Sequence, residues 1–196
     1  MAMRPPTRRR GHAAALPRRL LAWLSALLVL TCLPDGGWAE GASPEYGVKA
    51  AFLLNFAQFI EWPAETFADA NAPLRVGVLG DDPFGPVLED TLHGATVRTR
   101  PLVVLRAADP QQLAGCHLLF ISRSERPRLA PILAALADRP TLTVSDLDGF
   151  TAQGGGIRLY LAGRKVRFEI DPATLQAHHL KASPQLLALA RPAEGR

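Results

Sequence analysis

Two short runs, Leu74-Arg75-Val76-Gly77-Val78-Leu79 and Cys116-His117-Leu118-Leu119-Phe120-Ile121, are almost wholly apolar, and turn residues close the first at Gly80-Asp81-Asp82-Pro83. Runs of that length and character read as buried strands. Segments of helical character separate them: Pro86 to Leu92, then Arg126 to Leu136 with Leu129, Ile132, Leu133 and Leu136 inward. Thr96 to Leu105 and Thr141 to Val144 are extended, and Pro101 marks a sheet edge or a bulge. Farther on, Ile157, Leu159 and Leu161 alternate with Arg158 and Tyr160. After a turn at Ala162-Gly163, Val166, Phe168 and Ile170 alternate with Lys165, Arg167 and Glu169. That is a hairpin with one apolar and one polar face. Ser183-Pro184 opens a last helix through Leu186, Leu187 and Leu189. The expected class is α/β: a single layered sheet of about five or six strands flanked by helices, with a C-terminal β-hairpin and terminal helix.

Ahead of the first strand, Ser43-Pro44-Glu45 combines a capping hydroxyl, a proline at the first helical position and an acid in the first turn. Val48, Phe52, Phe56 and Phe59 then recur at helical spacing, with Leu53 and Ile60 beside them, and Trp62-Pro63 ends the helix. The stripe reads as core. Its width leaves Phe52, Phe56 and Phe59 open to a second role on a dimer or partner face.

The chain has 196 residues and a net charge of +4. Six of its arginines and one acid precede Glu40, so everything after is close to neutral. The basic excess is local, and nothing in the charge argues for nucleic acid. Those arginines precede the apolar run Leu20–Leu33, and Gly37-Trp38-Ala39 offers a small-x-small cleavage site. This is the pattern of a secretory signal peptide over residues 1–39, cleaved near Ala39. The expectation is a periplasmic domain over 40–196. Its only cysteine is then Cys116, read as a small buried hydrophobe with no intrachain disulfide.

The residues that could carry chemistry do not assemble into an active site on paper. Asp81-Asp82 after a first strand suggests a phospho-acceptor cluster, but the later strand ends Phe120-Ile121-Ser122-Arg123 without the third acid. Asp81, Asp82, Asp146 and Asp148 offer oxygen donors for a hard cation, yet Asp at strand ends is ordinary turn chemistry. Gly80 to Gly85 lacks the Lys-Ser/Thr of a phosphate loop. Gly154-Gly155-Gly156 precedes a strand rather than a helix. Cys116 and His117 are strand neighbours and point to opposite faces. His178-His179 supplies two ligands at most. No catalytic, cofactor or metal site is expected. A different class of reading, a small-ligand module, places a cleft between the Gly80–Gly85 loop and the glycines at 154–156.

Several of these segments, taken together, resemble the YfiR family. Lys49 to Pro63 (KAAFLLNFAQFIEWP) resembles its opening helix. Val78 to Gly85, Cys116 to Ser122, Gly149-Phe150 with Gly154 to Ile157, Val166 to Ile170 and Leu186 to Ala190 follow in that family's order, spanning Glu45 to Arg191. The resemblance implies a non-catalytic, homodimeric periplasmic α/β regulator. It would bind the periplasmic segment of an inner-membrane signalling protein, a diguanylate cyclase, and repress cyclic di-GMP output, with an outer-membrane lipoprotein as antagonist. This chain departs from the pattern by keeping Cys116 alone and by carrying Asp171 where relatives often have Asn. Strand alternation puts Tyr160, Arg167 and Glu169 on the hairpin's polar face, and the resemblance makes that face the partner surface. On this reading Glu169→Lys leaves the melting temperature nearly unchanged and releases repression.

Overall fold

The computed structural model describes residues 43–192. The expected leader and its cleavage site near Ala39 lie outside the described residues. Helix α1 (Pro44–Phe59) begins as its sequence dictates: Ser43 Oγ accepts the Glu45 N–H at 3.2 Å and Pro44 occupies the first turn. The chain passes directly into β1 (Ile60–Glu61), which pairs antiparallel with β9 (Lys181–Ala182).

The main sheet contains β2 (Leu74–Leu79), β3 (Thr96–Val97), β4 (Arg100–Ala107), β5 (Leu118–Ile121), β6 (Leu142–Ser145), β7 (Ile157–Ala162), β8 (Lys165–Ile170) and β10 (Arg191–Pro192). Their order is β10-β8-β7-β6-β5-β2-β4-β3. The six longer strands match the sequence expectation, and a two-residue strand is added at each edge. Strands β4, β2, β5, β6 and β7 run parallel, whereas β7–β8 and β3–β4 are antiparallel hairpins. The extended stretch expected from Thr96 breaks at Arg98 and Thr99, both at positive φ. Pro101 opposes Thr96 on the edge strand, before β4 meets β2 at Leu102. A proline is tolerated there because the central ladder has not yet begun.

Alternation along β2 and β5 divides the interior into two cores. Val76, Val78, Leu118 and Phe120 face α1 and α2 (Val87–Leu92), while Leu79, Leu119 and Ile121 face α3 (Leu129–Leu136). Both faces are therefore dry, which is why these strands read as continuous apolar runs. The helix expected from Arg126 instead starts as a 3-10 turn over Arg123–Arg128, since Pro127 has no N–H to give an α-helical ladder. The short helices α4 (Pro172–Ala177) and α5 (Pro184–Leu189) are capped by Asp171 and Ser183. No helix among the described residues is long and apolar enough to cross a membrane.

The buried face of α1 differs from the expected stripe. Lys49, Ala50, Leu53, Phe56 and Ala57 are buried, whereas Val48 is 46% exposed. Phe56 is fully buried against Phe168, with ring centroids 5.2 Å apart; Phe52 and Phe59 are half-buried at its flanks. The helix is turned so that Lys49, held by a buried ion pair, lies on its inner face together with Leu53 and Phe56.

Candidate functional site

Lys49 is fully buried, and an ammonium is tolerated there only if it is paired. Its Nζ lies 2.5 Å from Asp146 Oδ2 and 2.5 Å from Glu45 Oε1, one helical turn back. Tyr46 donates its hydroxyl to the same Asp146 oxygen at 2.8 Å, and the Lys49 ammonium sits 4.3 Å from the centre of the Tyr46 ring. Arg123 Nε approaches the other carboxylate oxygen at 3.1 Å, without the alignment of a good hydrogen bond. Burial alone would raise the Asp146 pKa, but Lys49, the Tyr46 hydroxyl and Arg123 together hold it below the ordinary value. The Tyr46 phenol is pushed up, first by burial and then by its bond to Asp146. The cluster pins α1 to the carboxyl end of β6, with Lys49 and Asp146 buried and Arg123, Glu45 and Tyr46 partly in solvent. Asp146 had drawn notice in the sequence as one of four acids; nothing in the pattern marked Lys49 as its partner.

The other three acids do not join it. Asp82 pairs with Arg106 at 2.7 Å and caps the Phe84 N–H, Asp148 pairs with Arg158 at 2.5 Å, and the Asp81 N–H donates to Ser124 Oγ. Among the described residues no three His, Cys, Asp or Glu side chains are grouped to hold a metal ion. Among the glycines expected to border a cleft, Gly80 and Gly155 are closely packed, whereas Gly85 and Gly154 have open space beside them. A Cβ on Gly80, at φ +86, would lie 2.4 Å from Ser124 Oγ, and one on Gly155 would lie 2.2 Å from the Phe150 ring. Cys116 is free and buried, and burial pushes its thiol up to about 11, so it is protonated and a poor nucleophile near neutrality. His178 is buried, with Nδ1 at 2.8 Å from the Arg139 carbonyl oxygen.

The hairpin residues share one sheet face, as alternation predicts. Tyr160 opposes Arg167, and Arg158 opposes Glu169. Their exposure is unequal, which corrects the expectation for one of them. Arg167 is exposed and Tyr160 half-exposed, but Glu169 is only 8% exposed. Glu169 Oε1 accepts the Thr151 hydroxyl at 2.7 Å, Arg158 lies 3.6 Å from Oε2, and β10 pairs alongside it at Arg191. The 3-10 turn Thr151–Gln153 and the edge strand β10 convert a nominally solvated strand position into an interior one. Glu169→Lys would put a second cation beside Arg158 in a site with 8% exposure, so the expectation of an unchanged melting temperature fails on physical grounds.

The tip of the hairpin carries the more open surface. Gly163-Arg164 forms the two-residue loop, with Gly163 at φ +61 where a side chain would be strained. Between this tip and the first turns of α1 lies a groove of about 790 Å³. Val48, Phe52, Leu161 and Val166 supply its apolar floor; Arg164, Lys165 and Arg167 line it with positive charge, against the single acid Glu45. Val48 and Leu161, 46% and 50% exposed, are large apolar side chains left uncovered. Phe52 thus joins the core at one edge and the groove at the other. The sequence signal was present in Val48 and Leu161, but alternation and helical period both read them as inward.

A protein-family model described as YfiR/HmsC-like matches residues 46–191 of the chain. That stretch runs from Tyr46 of the ion-pair cluster to Arg191 of β10 and takes in nearly every element described above. The chain therefore belongs to the YfiR/HmsC-like family of periplasmic regulators.

Proposed function

We propose that this protein is a periplasmic repressor that binds the periplasmic segment of an inner-membrane signalling protein, a diguanylate cyclase, and thereby lowers cyclic di-GMP output. The observation that carries the reading is the groove between α1 and the hairpin tip, an uncovered apolar floor with a basic rim. Exposed apolar side chains ringed by charge are what a protein–protein contact buries. Arg167 lines the groove, and Tyr160, opposite it in the hairpin, together with Glu169 beside Arg158, belongs to the hairpin's polar face. An outer-membrane lipoprotein would compete for the repressor, and a homodimer is its working form. Residues 1–39 serve as the leader that delivers it across the inner membrane.

Deleting the gene should raise cellular cyclic di-GMP, and an unchanged level would remove the cyclase from the proposal. Arg167→Glu reverses an exposed charge on the groove, so it should fold with a melting temperature within a few degrees of the parent. In the complemented strain it should fail to repress, because like charges now face each other across the contact. Full repression by a folded Arg167→Glu protein would exclude this face.

A further inference from the structure

Strand β4 differs from the other long strands. None of its residues is buried, whereas β2, β5 and β6 are buried almost throughout. Its cover at the sheet edge is short. β3 pairs only Thr96 with Pro101 and Val97 with Arg100. Before Thr96 the chain leaves the sheet, and the Ala95 N–H donates to the Leu92 carbonyl at 3.1 Å, at the end of α2. From Leu102 onward β4 has β2 on one side and no strand among the described residues on the other.

The direction of its backbone groups is fixed. The Ala107 carbonyl accepts the Gly80 N–H at 3.0 Å, so Ala107 faces β2. Alternation then turns the backbone groups of Val103 and Leu105 toward β2, and those of Leu102, Val104 and Arg106 outward. Arg100, in step with the outward set, faces β3 as it must. The side chains divide as well. Leu102 and Val104 pack on the core beside α1 and α2, while Val103 and Leu105 stand on the other face, 37% and 38% exposed.

An open, apolar edge is a template for another strand, and proteins ordinarily blunt it with charge. The far edge is treated in that way, since β8 carries Lys165 and Arg167. On the open part of β4 the one charge is Arg106, and it is tied back. Its Nε donates to Asp82 at 2.7 Å and its Nη2 to the Gly85 carbonyl at 2.9 Å.

We propose that β4 pairs antiparallel with β4 of a second copy of this chain, about a two-fold axis at Val104, joining the two sheets into one. The inference rests on the homodimer of the proposed function and names the surface that forms it. In this register Val104 opposes its counterpart, Leu102 opposes Arg106, and Val103 opposes Leu105, so the exposed apolar residues cover each other in two symmetric pairs. The second strand reaches its last residue, Ala107, opposite Pro101, where β3 takes over. An axis at Leu102 or Val103 would run the second strand into β3. One at Leu105 or Arg106 would draw the two Arg106 side chains together.

Sedimentation of the purified protein should show a dimer, and Leu105→Lys should make it dissociate roughly tenfold more readily or beyond, because each new ammonium faces Val103 across the axis. Val103→Lys should act alike, and both positions are exposed enough for the fold to survive. Disulfide formation reads the register. Val103→Cys and Leu105→Cys proteins, mixed and allowed to exchange subunits, should crosslink on oxidation, because residues opposed in such a pair lie about 4.5 Å apart at Cα. Neither protein alone should crosslink, and the parent, with Cys116 buried, is the control. Self-crosslinking of Leu105→Cys, or a dimer indifferent to both lysines, would overturn the proposal. A monomer at every concentration would overturn it too and leave the edge to a strand of a different protein. β4 shares no residue with the groove, so the two readings fail separately. A dimer indifferent to Leu105→Lys, with repression still lost in Arg167→Glu, removes this interface and keeps the regulator. The reverse pair of results keeps the interface and removes the groove.

Discussion

Asp146→Asn is expected to lower stability by about 3 kcal/mol, near the bottom of the range for breaking a buried ion pair. The substitution keeps the shape of the side chain but leaves the Lys49 ammonium, fully buried, with Glu45 as its one carboxylate. For a domain of this size the loss corresponds to a fall of roughly 6–12 °C in melting temperature. Lys49→Met alone should cost less, since Tyr46 and Arg123 remain on Asp146. The double variant Lys49→Met/Asp146→Leu should recover most of the deficit, because an apolar pair of similar volume avoids the desolvation of two charges. Thermal and urea unfolding of the three proteins checks this, and a double variant no better than Asp146→Asn would refute it.

The same cluster gives a pH dependence of known sign. Asp146 has a folded pKa below its unfolded value, so its contribution is complete above the ordinary carboxylate range and is lost as pH falls through the folded value. His117 acts in the same direction at milder pH. Its folded pKa is also depressed, so the unfolded chain binds the extra proton and stability declines as pH drops below about 6.5. The His117 contribution should vanish in His117→Phe, leaving only the more acidic transition.

Phe56→Ala is expected to cost about 3–5 kcal/mol, the range for emptying a buried aromatic site. The ring is completely enclosed and packs against Phe168 and Phe52, at centroid distances of 5.2 and 5.9 Å. Phe52→Ala and Phe59→Ala should cost roughly half as much or less, since both rings are already partly in solvent. Phe52→Ala has a further consequence, because it also removes part of the groove floor. It should stay folded and lose partner affinity or self-association by sedimentation, whereas Phe56→Ala should lose its fold first. Equal destabilisation by all three would contradict the observed burial.

Much of the architecture was legible because strand and helix periods differ, and each leaves its own mark on the order of apolar residues. Leu74–Leu79 and Leu118–Ile121 announce double-sided burial, Ser43-Pro44 announces a helix start, and the hairpin pairs Tyr160 with Arg167 as alternation requires. Those features are local: they depend on neighbours a few residues apart, which sequence order specifies directly.

The parts that sequence did not determine all depend on groups distant along the chain. Lys49 sits at the heart of the inner face of α1 because Asp146, 97 residues away, meets it there, and that rotation turns Val48 outward. Glu169 is interior because Thr151 and β10 close over a strand face that alternation assigns to water. His117 accepts on Nδ1 because the Arg75 N–H, 42 residues away, meets it there. Periodicity can say which side of an element is apolar, but the cost of burying a charge depends on which partner arrives from elsewhere, and only the tertiary structure decides that.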